Sequence, residues 1–254
     1  MRIRVLGCSG GIGPDLRTTS LLVGDDTLID AGTGVGDMSL HEMQKIRRVF
    51  LTHSHLDHVC GLAFLADNLF DMVETGVDVY ASGETLEAIR AHLFNWVLWP
   101  DFSKLPDEQN GFLRFHEFPV GAEYQLEAGT LQSFRVLHTV PGVGFALDNG
   151  RSCFGFSGDT CANDGMWEYL NGLPRLDKLM IEVAFPDEQE ELGELSRHFT
   201  PRVLGEELRK LRHRPELLLT HHKPGCEELI ERECRNALAD WHYVHLERGY
   251  TVEL

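Results

Sequence analysis

The chain has 254 residues and 43% apolar content, which suits one large domain or two small ones with a sizeable core. Asp and Glu number 40 against 23 Lys and Arg, a formal charge of −17, so no basic face is offered to a nucleic-acid backbone. No apolar stretch is long enough to span a bilayer, and Met1-Arg2-Ile3-Arg4-Val5-Leu6-Gly7 is too short in apolar character for a signal peptide. A soluble cytoplasmic protein without a membrane partner is therefore expected. Cys8, Cys60, Cys153, Cys161, Cys226 and Cys234 form no C-x-x-C pair and read as reduced thiols.

In chain order, residues 3–6, 20–23 and 27–29 read as short strands between Gly-rich or Asp-rich turns. Gly7-Cys8-Ser9-Gly10-Gly11-Ile12-Gly13 reads as a flexible loop, and Asp30 closes the third strand. The apolar run 49–51 leads into Thr52-His53-Ser54-His55-Leu56-Asp57-His58, and residues 61–69 continue as an apolar helix. Alternation along a strand puts His53 and His55 on one side, where they can meet one ion. The chain must then turn, which lets Asp57 and His58 face a second. Imidazole and carboxylate suit zinc and similar borderline metals. Two ligand pairs on one short turn are what a two-metal hydrolytic site needs. A plain polar run between strand and helix would leave this cluster without a reason.

Residues 77–80 form another predicted strand. Leu86, Ile89, Leu93 and Val97 share a face over a predicted helix 84–97, with Ser82 as start signal and Pro100 as stop. Trp96, Trp99 and Phe102 cluster at its end, as core or as a ligand wall, and 101–111 reads as a polar loop. Residues 131–137 make a strand ending at His138. Residues 144–147 and 151–156 make a hairpin across Asp148-Asn149-Gly150. Residues 178–183 and 217–219 are apolar runs, and 201–211 is a helix with Pro201 in its first turn. Hairpins mixed with alternating strands and helices predict a mixed-sheet sandwich with outer helices in a single domain over 1–254.

Three polar side chains recur just past apolar strands: His138, Asp159 and His221. Strand ends hold such residues rigidly while loops leave them open. Asp159 has two oxygens with which to bridge a pair of ions. His222 competes with His221. If residues 217–220 are extended, the two point to opposite faces and only one can be the ligand.

The motif, with Asp30, His138, Asp159 and His221 in this order, resembles the metallo-β-lactamase superfamily. Within it, His53-Ser54-His55-Leu56-Asp57-His58-Val59-Cys60-Gly61-Leu62 is similar to the signature of class II 3′,5′-cyclic-nucleotide phosphodiesterases. The segments 85–96 with Trp99-Pro100-Asp101, Ile181-Glu182-Val183-Ala184-Phe185-Pro186 and Leu195-Ser196-Arg197-His198-Phe199-Thr200-Pro201 resemble further blocks. His221-His222-Lys223-Pro224 matches the last ligand block, with His221 in the ligand place. There are departures: Phe64-Leu65-Ala66-Asp67-Asn68 stands where Ser followed by Ala or Pro is usual, and Arg197 stands where Gly is common.

The resemblance implies an α/β protein with an αββα sandwich and a two-metal site at one edge. It implies one ion on His53, His55 and His138, a second on Asp57, His58 and His221, and Asp159 between them. Zn2+ is the default, with Mn2+ or Fe accepted by such ligands. Asp30 is expected behind the site, accepting a hydrogen bond from a ligand histidine. His198 is the candidate proton donor and Asp57 the ligand on which turnover most depends. Lys223 is the candidate phosphate contact, and Trp96 or Phe102 would stack a base. The expected activity is hydrolysis of cAMP, and of cGMP, to the 5′-monophosphate by a water activated between the ions. A homodimer without nucleic acid is expected. The competing readings are an endoribonuclease that trims transfer-RNA precursors at the 3′ side, a thioester or lactone hydrolase, and a catalytically dead sensor.

Overall fold

The computed structural model describes residues 2–254. The first half of the chain contributes strands β1 (Arg2–Gly7), β2 (Ser20–Val23), β3 (Thr27–Ile29), β4 (Arg48–Phe50), β5 (Val77–Ala81) and β6 (Leu113–Glu117). The second half contributes β7 (Glu123–Leu126), β8 (Gly129–Val136), β9 (Gly142–Asp148), β10 (Cys153–Phe156), β11 (Lys178–Glu182), β12 (Glu216–Thr220), β13 (Tyr243–His245) and β14 (Thr251–Glu253). Helices α1 (Leu40–Met43), α2 (Leu56–Leu69) and α3 (Gly83–His92) cover the first sheet. Helices α4 (Asp164–Gly172), α6 (Pro201–Glu207) and α7 (Glu227–Ala237) cover the second, and α5 (Glu190–Ser196) leads to His198.

One sheet has the order β14-β1-β2-β3-β4-β5-β6, the other β13-β12-β11-β10-β9-β8-β7. Each is antiparallel on one side and parallel on the other. The parallel pairs are β3–β4, β4–β5 and β5–β6 in the first, and β10–β11, β11–β12 and β12–β13 in the second. This is the expected αββα sandwich.

The burial pattern explains the layers. Val49 and Leu51 face the helices on their side, while Phe50 between them faces the other sheet. Leu217 and Leu219 face outward to helices, and Leu218 faces inward. Alternation thus sends neighbouring apolar residues into different cores, so strands covered on both faces read as unbroken apolar runs. Phe50 is a centre of the layer between the sheets. Its ring stacks on Tyr80 at 4.7 Å and meets Tyr124 and Phe145 edge-on.

Several expectations are revised. The motif is not strand as far as His55: β4 stops at Phe50, and α2 begins at Leu56 rather than at residue 61. The predicted helix 84–97 starts as expected, with Ser82 Oγ accepting from the Thr85 amide, but ends at His92. Asn95 Oδ1 accepts from the amides of Val97 and Leu98, and Trp96 takes φ 65°, which turns the chain out of the helix. Val97 is therefore 91% exposed instead of completing an apolar face. The glycine-rich segment after β1 is held rather than flexible: Gly10 donates its amide to His222 O, and Ser9 bridges to the same residue. Among the described residues no helix is long and apolar enough to cross a membrane.

Phe50→Ala should destabilise the fold by about 3–5 kcal/mol, because it opens a cavity where both sheets meet. Denaturant unfolding checks this, and a loss below about 1 kcal/mol would mean that the intersheet layer closes without this ring.

Candidate active site

Asp30 follows β3, Thr52 and His53 follow β4, His138 follows β8, Asp159 follows β10, and His221 follows β12. Glu182 is the last residue of β11. These strands run in the same sense within their sheets, so their C-terminal ends bring all of these residues to one edge of the sandwich. Such ends are where open sheets place their sites.

Asp30 is the buried anchor behind them. It sits at φ 57°, a left-handed conformation that Asp tolerates better than most residues. Its Oδ1 accepts the Thr52 amide at 2.8 Å, and its Oδ2 accepts the Thr52 hydroxyl at 2.8 Å. His58 Nδ1 lies 2.7 Å from Oδ2 and donates to it. The Thr52 hydroxyl, having given its proton to Asp30, accepts from His53 Nδ1 at 3.0 Å. Helix α2 is drawn close to this loop. A Cβ on Gly32 would lie 2.1 Å from Asp57 O, and one on Gly61 would lie 2.3 Å from Gly32 O, so glycine is required at both.

Each outer hydrogen bond sets a tautomer. With Nδ1 of His53 and His58 engaged, their Nε2 atoms point inward carrying lone pairs. His138 follows the same rule, with its Nδ1 donating to Arg197 O at 3.1 Å. Asp159 lies among them: 3.3 Å from His58 Nε2, 3.3 Å from His221 Nδ1 and 3.8 Å from His53 Nε2. Asp57 Oδ2 is 3.8 Å from His58 Nε2 and 4.0 Å from His221 Nε2. Two adjoining donor groups result, His53/His55/His138 and Asp57/His58/Asp159/His221, each with its ligand atoms within 4.8 Å of one another.

The chemistry of these donors fits metal ions. His53 Nε2, His58 Nε2 and His221 Nδ1 are buried ring nitrogens without a hydrogen-bond partner, which is costly unless a cation takes the lone pairs. Burial holds His53 and His221 well below the ordinary histidine pKa, and burial likewise pushes His138 down to about 4. All three stay neutral and available as ligands. For His58, burial opposes charge but Asp159 and Asp30 prevail and raise its pKa well above normal. The carboxylates that draw a proton onto this ring would equally draw a cation to its Nε2.

Between the two adjacent histidines the structure separates the roles. His221 takes φ 67° and donates its amide to Cys8 O at 2.7 Å, which turns its ring toward Asp159. His222 turns the other way, to Val183 O at 2.7 Å and His245 Nδ1 at 2.8 Å. Lys223 Nζ donates to Gly10 O at 2.9 Å and lies 3.5 Å from His221 Nε2. Trp96 stands on the exposed turn after α3. Phe102 is packed in the core of the first sheet, which corrects the expectation that it could stack a base.

One residue escaped the sequence reading. Glu182 is fully buried, and its Oε1 lies 2.8 Å from His198 Nδ1. Burial works against a charged His198, but the charge and hydrogen bond of Glu182 outweigh it and raise the histidine pKa. A ring nitrogen of His198 lies within 4.8 Å of donor atoms of His138 and Asp159, so the pair borders the metal-binding cluster. The available signal was a carboxylate ending an otherwise apolar strand.

The match to the beta-lactamase superfamily domain covers residues 26–222, and the chain belongs to that superfamily. Among curated relatives it is 30% identical over 186 residues to a probable 3′,5′-cyclic-nucleotide phosphodiesterase of Yersinia pestis, covering 66% of this chain and 52% of the relative. It is also 30% identical over 153 residues to a ribonuclease Z of Pyrococcus abyssi, covering 55% of this chain and 45% of that protein. The chain thus spans about half the length of these two relatives. Among solved structures, yeast PDE1 superposes with a TM-score of 0.84 at 17% identity, covering 100% of this chain and 99% of the other. The superfamily membership thus comes with a His/Asp cluster able to bind metal ions.

Asp30→Asn should lower metal affinity about 10- to 100-fold, because an amide cannot accept from both Thr52 and His58 as the carboxylate does. Titration calorimetry of the metal-free chain reads this directly, and wild-type affinity would show that the histidines orient themselves. A second expectation concerns His222, whose pKa burial depresses to about 4. A histidine depressed on folding stabilises above its unfolded pKa of about 6.5, and that stability is lost as pH falls toward the folded value. Melting temperatures of wild type and His222→Gln between pH 7 and 4 test this. The variant should fall less steeply, and parallel curves would contradict the assignment.

Proposed function

We propose that this chain is a dinuclear metal-dependent phosphodiesterase that hydrolyses 3′,5′-cyclic nucleotides, cAMP and cGMP, to 5′-monophosphates. The observation that carries the reading is the buried Glu182–His198 pair at the border of two adjoining donor groups. In this reading His53, His55 and His138 hold one ion and Asp57, His58 and His221 the other, with Asp159 shared. Zn2+ is the first choice, and Mn2+ or Fe suit the same ligands. When bound, two such ions supply positive charge for the phosphoryl oxygens and make water acidic enough to attack near neutral pH.

The chain's own residues supply the rest. Opening the ring expels O3′, an alkoxide and a poor leaving group, so a proton must reach it. His198 is the donor. Its Nδ1–H is committed to Glu182, which fixes the ring and favours its charged form. Lys223, held by Gly10 O beside His221, adds a positive charge suited to a phosphoryl oxygen. Trp96, 57% exposed, offers a face for the base without selecting among bases.

Similarity to ribonuclease Z supports a second reading, cleavage of a transfer-RNA precursor, with the same donors and the same proton relay. The formal charge of −17 weighs against it, since gripping a polyanion requires released counterions and a basic surface.

Metal-loaded protein should convert cAMP to 5′-AMP, identified by chromatography, while Asp57→Ala should not. His198→Ala should slow cAMP turnover about 10²- to 10⁴-fold but affect bis-p-nitrophenyl phosphate far less, because p-nitrophenolate leaves without a proton. Equal losses on both substrates would remove the proton-donor role. Cleavage of precursor transfer RNA without 5′-AMP would transfer the assignment to the second reading.

A further inference from the structure

Arg197 occupies a place where a side chain is unwelcome. It caps α5 at φ 56° and ψ 56°, the left-handed conformation that glycine adopts freely and that disfavours residues carrying a Cβ. Its backbone is fixed there by bonds on both sides: its amide donates to Glu194 O, and the next amide, of His198, donates to Gly193 O at 2.8 Å. A glycine would meet these demands without strain, so the turn alone does not account for an arginine.

The arginine side chain has a definite partner. Its Nη1 donates to the carbonyl oxygen of His138, while the ring Nδ1 of His138 donates to the carbonyl oxygen of Arg197. The two residues therefore hold each other by two antiparallel hydrogen bonds, one using the His138 main chain and the other its ring. The main-chain bond fixes where the His138 loop runs, and the ring bond fixes which nitrogen faces His55 and Asp159. His138 Nε2 stands 3.1 Å from His55 Nδ1, so a small displacement of the His138 loop would spoil the first donor group. The other group, Asp57/His58/Asp159/His221, makes none of these contacts with Arg197 and is anchored separately through Asp30 and Cys8.

We infer that Arg197 is a positioning residue that clasps the His138 loop to the turn bearing His198, and so presets the His53/His55/His138 group for one ion of the pair. The inference deepens the two-ion reading above and rests on it. It does not depend on which phosphodiester is cleaved.

The test is calorimetric titration of the full chain, stripped of metal, with Zn2+ and with Mn2+, for wild type, Arg197→Gly, Arg197→Ala and Arg197→Lys, with thermal melts of the same preparations. Both Arg197→Gly and Arg197→Ala should weaken one of two ions by about tenfold and leave the other unchanged. Arg197→Lys, which can still donate to the His138 carbonyl, should recover part of the loss. Arg197→Gly should melt above Arg197→Ala, since it relieves the left-handed strain, and the two should bind metal alike. That pattern separates the guanidinium from the backbone. Two wild-type ion affinities in Arg197→Gly, equal weakening of both ions, or no recovery with lysine would each overturn the clasp. A wild-type chain that takes fewer than two ions would overturn it along with the two-ion reading. A chain that binds two ions but yields no 5′-AMP would leave the titration result standing and remove only the substrate assignment.

Discussion

The carboxylate of Asp30 is the constraint around which this edge of the molecule is arranged. A fully buried anion is expensive unless its oxygens are satisfied, and here they accept from the Thr52 amide, the Thr52 hydroxyl and His58. Those bonds pin the loop after β4 to the end of β3. They also determine the tautomers of His53 and His58, because each spends its Nδ1 proton on this network. A single buried charge thereby orients ring nitrogens on both sides of Asp159. The close passage of α2 over Gly32 follows from the same requirement, since His58 can reach Asp30 only if the helix start lies against that loop.

The second sheet completes what the first begins. His138, Asp159, Glu182 and His221 come from strands of the other layer, so the site exists only where the two sheets meet at their C-terminal ends. Backbone strain is concentrated there too. Asp30, Arg197 and His221 are three of the non-glycine residues with positive φ, and each turns a side chain or a carbonyl toward the donor groups. Such conformations persist only where surrounding contacts overdetermine them. The contacts are visible for each: Thr52 and His58 for Asp30, His138 for Arg197, and Cys8 for His221.

Much of this was legible in the sequence, and the reasons differ by element. Strands buried on both faces, such as β2, β3 and β12, announce themselves as apolar runs. The strands β6 and β7 do not: Leu113-Arg114-Phe115-His116-Glu117 and Glu123-Tyr124-Gln125-Leu126 alternate, but over only 5 and 4 residues that are mostly half-buried or exposed. Helix α7 escaped because only Ile230 and Cys234 are buried on a surface of charged residues. The cluster around His53 was readable from residue types alone. Its geometry differs from the expected one, however: His53 and His55 converge from a loop and a helix cap rather than along a strand. Glu182 was invisible as a site residue because its meaning depends on His198, sixteen residues away and on another element. A carboxylate ending an apolar run marks the strand, but nothing local names His198 as its partner.

The distinction among hydrolases of this superfamily turns less on the metal-binding cluster than on what stands beside it. Two cations and an activated water serve attack on carbon or phosphorus alike, so a complete donor set does not choose the substrate. The leaving group does. A thiolate departs with a pKa of about 8.5 and needs little help, whereas a sugar alkoxide needs a proton as the bond breaks. A fully buried carboxylate kept against a histidine at the border of the cluster is a costly feature to retain in an enzyme whose leaving group departs unaided. Glu182 and His198 are therefore the residues on which the proposed phosphodiester reading rests. In the proposed reading, the acidity of the chain favours a small nucleotide, which a few placed cations such as Lys223 would hold, over a long polyanion that would have to be held against the repulsion of the whole surface.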